Sequence, residues 1–320
     1  MQNSCFLQKV VVIGPRTNIG QCVVGQLARH NVPVTKICPL DIHQEAGKII
    51  YYDNHRLLTQ ALDAFDFKAQ HIIFVCDKKM IPLLQRHKQN RYNWWIDCTH
   101  SVAEAVCVIP EINGKRLQLH PKWICNPCSN VISLTHILNP ILRTCQVQSI
   151  QLVLLMGTVF QGQETTDIMM RQIRHCLTQA PLRGQRMLPQ FAFNVLPDYF
   201  ENFAEIMVRQ LHCFMDLPIM ARTCFVPVVR GSCVHVQLEL TKNYDLSRLM
   251  QKWAIMPDVR ILQEEQFVGL NELISEEKIF IFKPIIQNKI LSFWCLQDVI
   301  QQGIGTNAAM LVQYIQKMKA

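Results

Sequence analysis

The chain has 320 residues, of which 49% are hydrophobic and 18% charged, with a formal net charge of +8. This balance excludes a disordered chain and leaves enough apolar material for two cored domains. The basic residues are scattered and form no Lys/Arg block, so the charge fits solubility or an anionic small-molecule ligand, and no nucleic-acid partner is expected.

No uncharged apolar run reaches the roughly 18 residues of a membrane span, so no membrane partner is expected. Fourteen cysteines are present without a framework spacing. Several, including Cys76, Cys107, Cys145, Cys224 and Cys295, sit in apolar runs, as reduced core thiols do. Met1 to Gln8 has no signal-peptide layout, and a cytoplasmic location is expected.

In chain order, Lys9 to Gly14 is an apolar strand ending in glycine, and Ile19 to His30 carries a helical stripe of Ile19, Val23, Val24 and Leu27. A second strand is expected near Val34 to Leu40. Strand, glycine loop, helix and strand open a dinucleotide-binding βαβ unit. The loop itself, Gly14-Pro15-Arg16-Thr17-Asn18-Ile19-Gly20, lacks the middle glycine of a G-x-G-x-x-G run. A side chain at Thr17 crowds the pyrophosphate path, whereas Arg16 is available to meet phosphate. Asp41 follows about twenty residues after Gly20, where an acid accepts from a ribose diol and repels a 2′-phosphate. Gly14, Arg16, Thr17, Asn18, Ile19, Gly20 and Asp41 are therefore candidate cofactor-binding residues. The competing reading is a surface loop and a surface acid.

His71 to Asp77 reads as a buried third strand, Met80 to His87 as a short helix, and Trp94 to Ser101 as a fourth strand running into a polar loop that holds His100. Val106 to Asn113 reads as extended, turning at Asn113-Gly114. Lys122 to Cys125 leads into Cys125-Asn126-Pro127-Cys128-Ser129-Asn130 and an apolar helix from Val131 to Leu142. In that stretch Ser129 and Asn130 are both capping candidates, and Pro140 bends or ends the helix. A thiolate or an anion is favoured at such a helix start. Competing readings of the stretch are two buried cysteines beside a helix cap, a Cys125/Cys128 redox pair, half of a zinc site, or a nucleophile site. No second Cys-x-x-Cys or Cys/His cluster completes a zinc site, so no metal is expected.

Beyond Pro140 the pattern changes. Strands are expected over Ser149 to Met156, Ala221 to Val229, Cys233 to Leu240, Ile279 to Pro284 and Leu291 to Leu296. Helices are expected over Thr165 to Thr178, Glu201 to Met215, Leu246 to Trp253 and Asn307 to Met318. Pro181 to Gln190 reads as a basic loop and Phe191 to Pro197 as a short extended piece. The expected fold class is α/β: an N-terminal Rossmann-like domain of residues 1–129 with 299–320, and an α+β dimerisation domain of residues 130–298 with a mostly antiparallel sheet.

These motifs, in order, resemble the aspartate-semialdehyde dehydrogenase family and its non-catalytic paralogues. They run from the glycine loop through Ala46-Gly47-Lys48, Ile109-Pro110-Glu111-Ile112-Asn113 and Cys125-Asn126-Pro127. They continue through Phe193-Asn194-Val195-Leu196-Pro197, Val226-Pro227-Val228 and Arg230-Gly231 to Trp294, Asp298, Gly303 and Asn307. The resemblance implies NADPH-linked reductive dephosphorylation of aspartyl phosphate by a cysteine nucleophile and a histidine acid–base, in a homodimer formed through the second domain's sheet. It adds Asn307 to the cofactor-binding candidates and makes Cys128, Ser129 and Ser232 the catalytic positions.

The chemical groups depart from that pattern. The nucleophilic cysteine falls on Ser129, with Cys128 one residue early, and the histidine falls on Ser232. His235, three residues on, is the candidate substitute base. The segment from Asp97 to Pro110 lacks the phosphate-binding arginine. A second family arginine corresponds to Phe225, a glutamine to Gly157, and the Ser/Arg pair that meets the 2′-phosphate to Ile42 and Gln44. The expectation is a diverged family member without the dehydrogenase activity, acting as a homodimeric scaffold or ligand-binding protein. No tightly bound cofactor is expected, only weak NAD or NADP binding. The alternative is an active NAD(P)-dependent enzyme on an aldehyde or acyl phosphate with Cys128 as nucleophile.

Overall fold

The computed structural model describes residues 9–84, 93–121, 123–160, 162–178, 189–200, 202–262, 269–274, 276–299 and 303–318. The chain divides into two compact units, Met1–Ile132 with Gly303–Ala320, and Ser133–Gln302. The far end of the helix expected to reach His87, most of the loop from Pro181 to Gln190, and Lys122, Gln161 and Glu201 lie outside the described residues.

The first unit begins with β1 (Lys9–Ile13), α1 (Asn18–Arg29), β2 (Ile37–Asp41), the hairpin β3 (Ile49–Tyr52) and β4 (His55–Leu58), and β5 (Gln60–Ala61). It continues with β6 (His71–Val75), α2 (Ile81–Leu84), β7 (Trp94–Asp97), β8 (Val106–Cys107), α3 (Pro110–Asn113), β9 (Ile124–Cys125) and the start of α4 (Ser129–Leu142). Seven strands make one sheet in the order β5-β2-β1-β6-β7-β9-β8, and every pairing is parallel. All residues of β2, β6 and β7 are buried. Such unbroken burial is what a parallel strand covered on both faces requires, and it explains their continuous apolar sequences. Strand order reverses between β1 and β6, which places the crevice of a doubly wound sheet beyond their carboxyl ends.

Two local expectations change. Val34–Lys36 is a 3-10 turn after Pro33, so the second strand starts only at Ile37 and ends on Asp41. The extended reading of residues 106–113 gives way to a two-residue strand and α3. Pro110 stands at the helix start, where its missing N–H costs nothing. The Asn113 side chain then accepts from Ile109 N at 2.9 Å and donates to Cys107 O at 3.0 Å, closing the turn.

The second unit holds the rest of α4, then β10 (Val147–Met156), α5 (Gln163–Thr178), β11 (Leu196–Pro197), α6 (Phe203–Leu211), β12 (Ile219–Phe225) and β13 (Ser232–Leu240). It ends with α7 (Leu246–Ala254), β14 (Val259–Leu262), β15 (Ile279–Gln287) and β16 (Ile290–Gln297). Its sheet runs β11-β12-β10-β13-β16-β15-β14. The pairs β10–β12 and β14–β15 are parallel, and the others are antiparallel. The sheet is therefore mixed, with two parallel pairings among the antiparallel ones expected from sequence. The reason lies in the connections: α5 and α6 intervene between β10 and β12, and a crossover of that length returns the chain parallel. α8 (Ile304–Lys317) belongs to the first unit.

Among the described residues, no helix is long and apolar enough to cross a membrane, and no group of His, Cys, Asp or Glu is placed to hold a metal ion.

Candidate functional site

The loop between β1 and α1 is shaped by its two glycines. Gly14 has φ +74°, and a Cβ there would lie 2.8 Å from the Asp77 Cβ. A Cβ on Gly20 would lie 2.2 Å from the Gly14 carbonyl oxygen, so α1 can approach the loop only with glycine at its third position. Thr17 is the N-cap of α1. Its Oγ1 accepts from Gly20 N at 3.0 Å and shares its hydrogen between the carbonyls of Gly14 and Cys76, at 2.9 and 3.0 Å. The side chain that the sequence reading placed in the pyrophosphate path is thus turned onto the loop and the end of β6.

Asn18 and Ile19 are the first two residues of α1, whose first turn carries no acid. Their N–H groups belong to the helix end that attracts anions. Thr17→Ala should lower stability by about 1 kcal/mol in urea unfolding, and Thr17→Ser should recover most of it. An unchanged midpoint in Thr17→Ala would deny the cap.

Arg16 forms an ion pair with Glu45, and Lys48 Nζ lies 2.7 Å from the same carboxylate. Arg16, expected to meet phosphate, therefore has a carboxylate partner. Asp41 is buried at the end of β2. Its Oδ1 accepts from Ile42 N at 2.9 Å, and burial is the main cause that raises its pKa above the ordinary carboxylate value. Beside it a cavity of about 430 Å³ is lined by Ile42, His43, Leu62, Asp63, Pro82 and Leu83. Among the described residues its lining includes an acid, Asp63, and no Lys or Arg.

Residues 125–130 join α8 through a buried polar network. Cys128, not Ser129 or Asn130, precedes α4: Ile132 N donates to Cys128 O at 3.1 Å, and the sulfur accepts from the N–H groups of Val131 and Asn130. Those N–H groups favour a thiolate, as the sequence reading held. Burial outweighs them, because Cys128 is 5% exposed and its thiol is pushed up to about 12. The low-pKa thiol expected at this helix start is not what the fold makes.

With the cap supplied by Cys128, Ser129 Oγ turns to α8 and accepts from Ile304 N at 3.2 Å. Gly303, at φ +105°, packs directly against it: a Cβ there would lie 2.5 Å from the Ser129 Cβ and 2.6 Å from its Oγ. Asn126 and Asn307 are both buried. Asn126 Nδ2 donates to Ile304 O at 2.8 Å, and Asn307 Nδ2 donates to Asn126 Oδ1 at 2.9 Å and Val108 O at 3.0 Å. Asn307, a cofactor candidate on resemblance, is thus tied into the frame of the first unit. His100 has φ +60°, and its Nε2 lies 3.1 Å from Asn126 O.

In the second unit Ser232 is fully buried at the start of β13. Gln297 Nε2 donates to its Oγ at 3.4 Å, and the Ser133 hydroxyl donates to Gln297 Oε1. Burial alternates along β13, so His235 lies on the face opposite Ser232. There its Nε2 is 2.9 Å from Ser292 Oγ, its ring packs 4.6 Å from Trp294, and burial lowers its pKa. It cannot stand in for the missing base position.

Three further positions at which the resemblance anticipated polar groups are occupied by structure. Phe225 is fully buried, with ring centroids 5.2 Å from Phe191 and 6.3 Å from Phe200. A Cβ on Gly157 would lie 2.4 Å from Val228 O. In the first unit Asp97 closes the loop after β7, accepting from Thr99 N at 2.7 Å and Val102 N at 2.9 Å. Arg230 and Asp298 form a two-pronged ion pair, with Nε and a terminal nitrogen 3.0 and 2.7 Å from the carboxylate oxygens. Sequence reasoning named both residues without pairing them, since more than sixty residues separate them.

An all-parallel dinucleotide-binding-type unit joined to a mixed-sheet α/β unit is the fold of the aspartate-semialdehyde dehydrogenases. A probable aspartate-semialdehyde dehydrogenase from Pseudomonas aeruginosa superposes with a TM-score of 0.89 at 19% identity, covering 98% of this chain and 99% of that one. An aspartate-semialdehyde dehydrogenase from Candida albicans, solved with NADP, gives 0.71 at 11% identity, over 98% and 99% of the two chains.

In sequence, the chain is 20% identical over 327 residues to the USG-1 protein homolog of Pseudomonas aeruginosa, covering 96% of this chain and 97% of that protein. It is 22% identical over 330 residues to the aspartate-semialdehyde dehydrogenase of Helicobacter pylori, covering 93% and 95%. No family model matches. Along nearly its whole length the chain is similar, at low identity, to proteins named aspartate-semialdehyde dehydrogenase and USG-1 protein homolog, the resemblance its motifs indicated.

Proposed function

We propose that this protein is a diverged aspartate-semialdehyde-dehydrogenase-like protein that has lost the ancestral reaction and acts as a homodimeric scaffold or ligand-binding protein. The observation that carries this reading is the use made of Ser129. The residue at the nucleophile position is 8% exposed, its hydroxyl accepts from the first N–H of α8, and Gly303 lies against it. A nucleophile needs access to its substrate and a base to take its proton. Ser129 has its oxygen in a buried cap, and the base position is a serine, whose hydroxyl does not exchange protons near neutral pH as imidazole does.

Ligand binding follows from the first unit. The helix start and glycine loop suit an anion, while Asp41 and the acid-bearing cavity oppose a 2′-phosphate. In calorimetry NAD should bind weakly and NADP more weakly still. Micromolar NADP affinity would contradict this reading.

The second unit supplies the support for self-association. The outward residues of its sheet include Val153, Met220 and Trp294, with Val153 41% and Met220 58% exposed. Gln151, Arg222, His235 and Gln237 lie on the same face, which is a mixed polar and apolar surface of the kind that a second copy can cover. The function itself is tested by supplying aspartate semialdehyde, NADP and phosphate and following reduced nicotinamide. Turnover should not exceed the protein-free background; sustained turnover proportional to protein would refute the proposal.

A further inference from the structure

The sequence offered Cys125 and Cys128 as a redox pair, but the fold brings a different pair of thiols together. We propose that Cys76 and Cys98, lateral neighbours at the carboxyl ends of β6 and β7, form a modification site that a hydroperoxide converts to a disulfide. Nothing in this proposal depends on nucleotide binding or on the loss of dehydrogenase activity.

Register carries the argument. Val75 of β6 pairs with Asp97 of β7, so the next residue on each strand is a cysteine, and Cys98 N donates to Val75 O at 2.9 Å. Neighbouring strands run about 4.8 Å apart, inside the Cα separation of roughly 4.4–6.8 Å that a disulfide spans. The two side chains are near enough to interact, and Cys76 is one of the groups that raise the Cys98 pKa. The arrangement is fixed from both sides: the Cys76 carbonyl accepts from Thr17 Oγ1, and Asn126 Nδ2 donates to Cys98 Sγ at 3.5 Å. That amide is the local group that favours a thiolate on Cys98, against the burial that raises its pKa well above the ordinary thiol value. Cys128, by contrast, has its sulfur directed at the first turn of α4.

The chemistry balances with the hydroperoxide as oxidant. One thiolate attacks the peroxide, the O–O bond breaks, and a sulfenic acid and one water form from hydrogen peroxide. The second sulfur then displaces the sulfenic oxygen, which leaves as a second water as the S–S bond forms. Two thiols and one peroxide give one disulfide and two waters. Both sulfurs are almost fully buried, so the reaction should be slower than oxidation of the exposed Cys176.

The test treats the full-length native protein with hydrogen peroxide, blocks remaining thiols, digests it and maps linked peptides by mass spectrometry. The expected result is Cys76–Cys98 as the dominant internal disulfide, abolished in Cys76→Ala and in Cys98→Ala and retained in Cys125→Ala. Cys107 and Cys125 are register partners as well and provide the internal comparison. A map dominated by Cys107–Cys125 or Cys125–Cys128 would overturn the proposal. So would a Cys76–Cys98 link that appears only in urea, or none at all while both residues are recovered as blocked thiols. Should the alanine variants fail to fold, the native wild-type map decides by itself.

Discussion

Gly303→Ala should be strongly destabilising for the addition of a single methyl group. Gly303 has φ +105° and ψ −113°, a region that L side chains rarely adopt. Holding alanine there costs about 1–3 kcal/mol in backbone strain. The added Cβ also meets the Ser129 Cβ at 2.5 Å and Cα at 2.6 Å, and neither atom can swing away as a side-chain tip would. Overpacking of this kind adds roughly 1–3 kcal/mol. A total of about 3 kcal/mol or more is a large share of an ordinary domain's stability. The variant should unfold at much lower denaturant concentration or accumulate as insoluble protein. A Gly303→Ala protein with the wild-type unfolding midpoint would show that α8 and Ser129 do not meet as described.

Restoring the family's reacting groups should not restore the reaction. Loss of a positioned acid–base typically lowers a rate by about 10²–10⁴, and the other missing groups compound that loss. Ser129→Cys should give no turnover, because the new sulfur inherits a buried cap position and Ser232 remains unable to relay a proton. Adding Ser232→His should yield at most a trace. The arginine position is filled by the buried Phe225, and at the Gly157 position a Cβ would lie 2.4 Å from Val228 O. Comparison of wild type, single and double variants with aspartate semialdehyde, NADP and phosphate checks this. Strong turnover by Ser129→Cys alone would mean that the remaining machinery is intact.

Much of the fold was legible because it is written in periodicity. The continuous apolar runs at Lys9 to Ile13 and His71 to Val75 are buried parallel strands, and the glycine loop is one that only glycines at 14 and 20 permit. Pairing direction was less legible. Strands β10 and β12 carry side-chain patterns that either direction would accept, and the crossover through α5 and α6 decides for parallel. The hairpin β3–β4 was missed, although its signal is present: burial alternates along Ile49–Tyr52, and Asp53 at the turn has φ +50°.

At the candidate site the sequence showed which groups were absent but not what their replacements do. The Thr17 bond to Cys76, the Ser129 bond to Ile304 and the Arg230–Asp298 pair join residues far apart in the chain, in ways that spacing does not reveal. The pKa of Cys128 was misjudged for a related reason. Helix-end N–H groups are visible in a sequence, whereas the burial that overrides them is a property of the folded chain.

The central claim, that the nucleophile position has become a structural cap, is tested most directly by the stability of Ser129→Ala in denaturant unfolding. Catalytic residues are often held in place at some expense of stability, so removing a working nucleophile commonly leaves a protein as stable or more so. A cap behaves in the opposite way: its removal leaves Ile304 N–H buried without an acceptor. Here Ser129→Ala should lower stability by about 1–2 kcal/mol, with no change in a background-level reaction rate. Unchanged or increased stability, accompanied by loss of a measurable dehydrogenase rate, would contradict the account and return Ser129 to the chemistry.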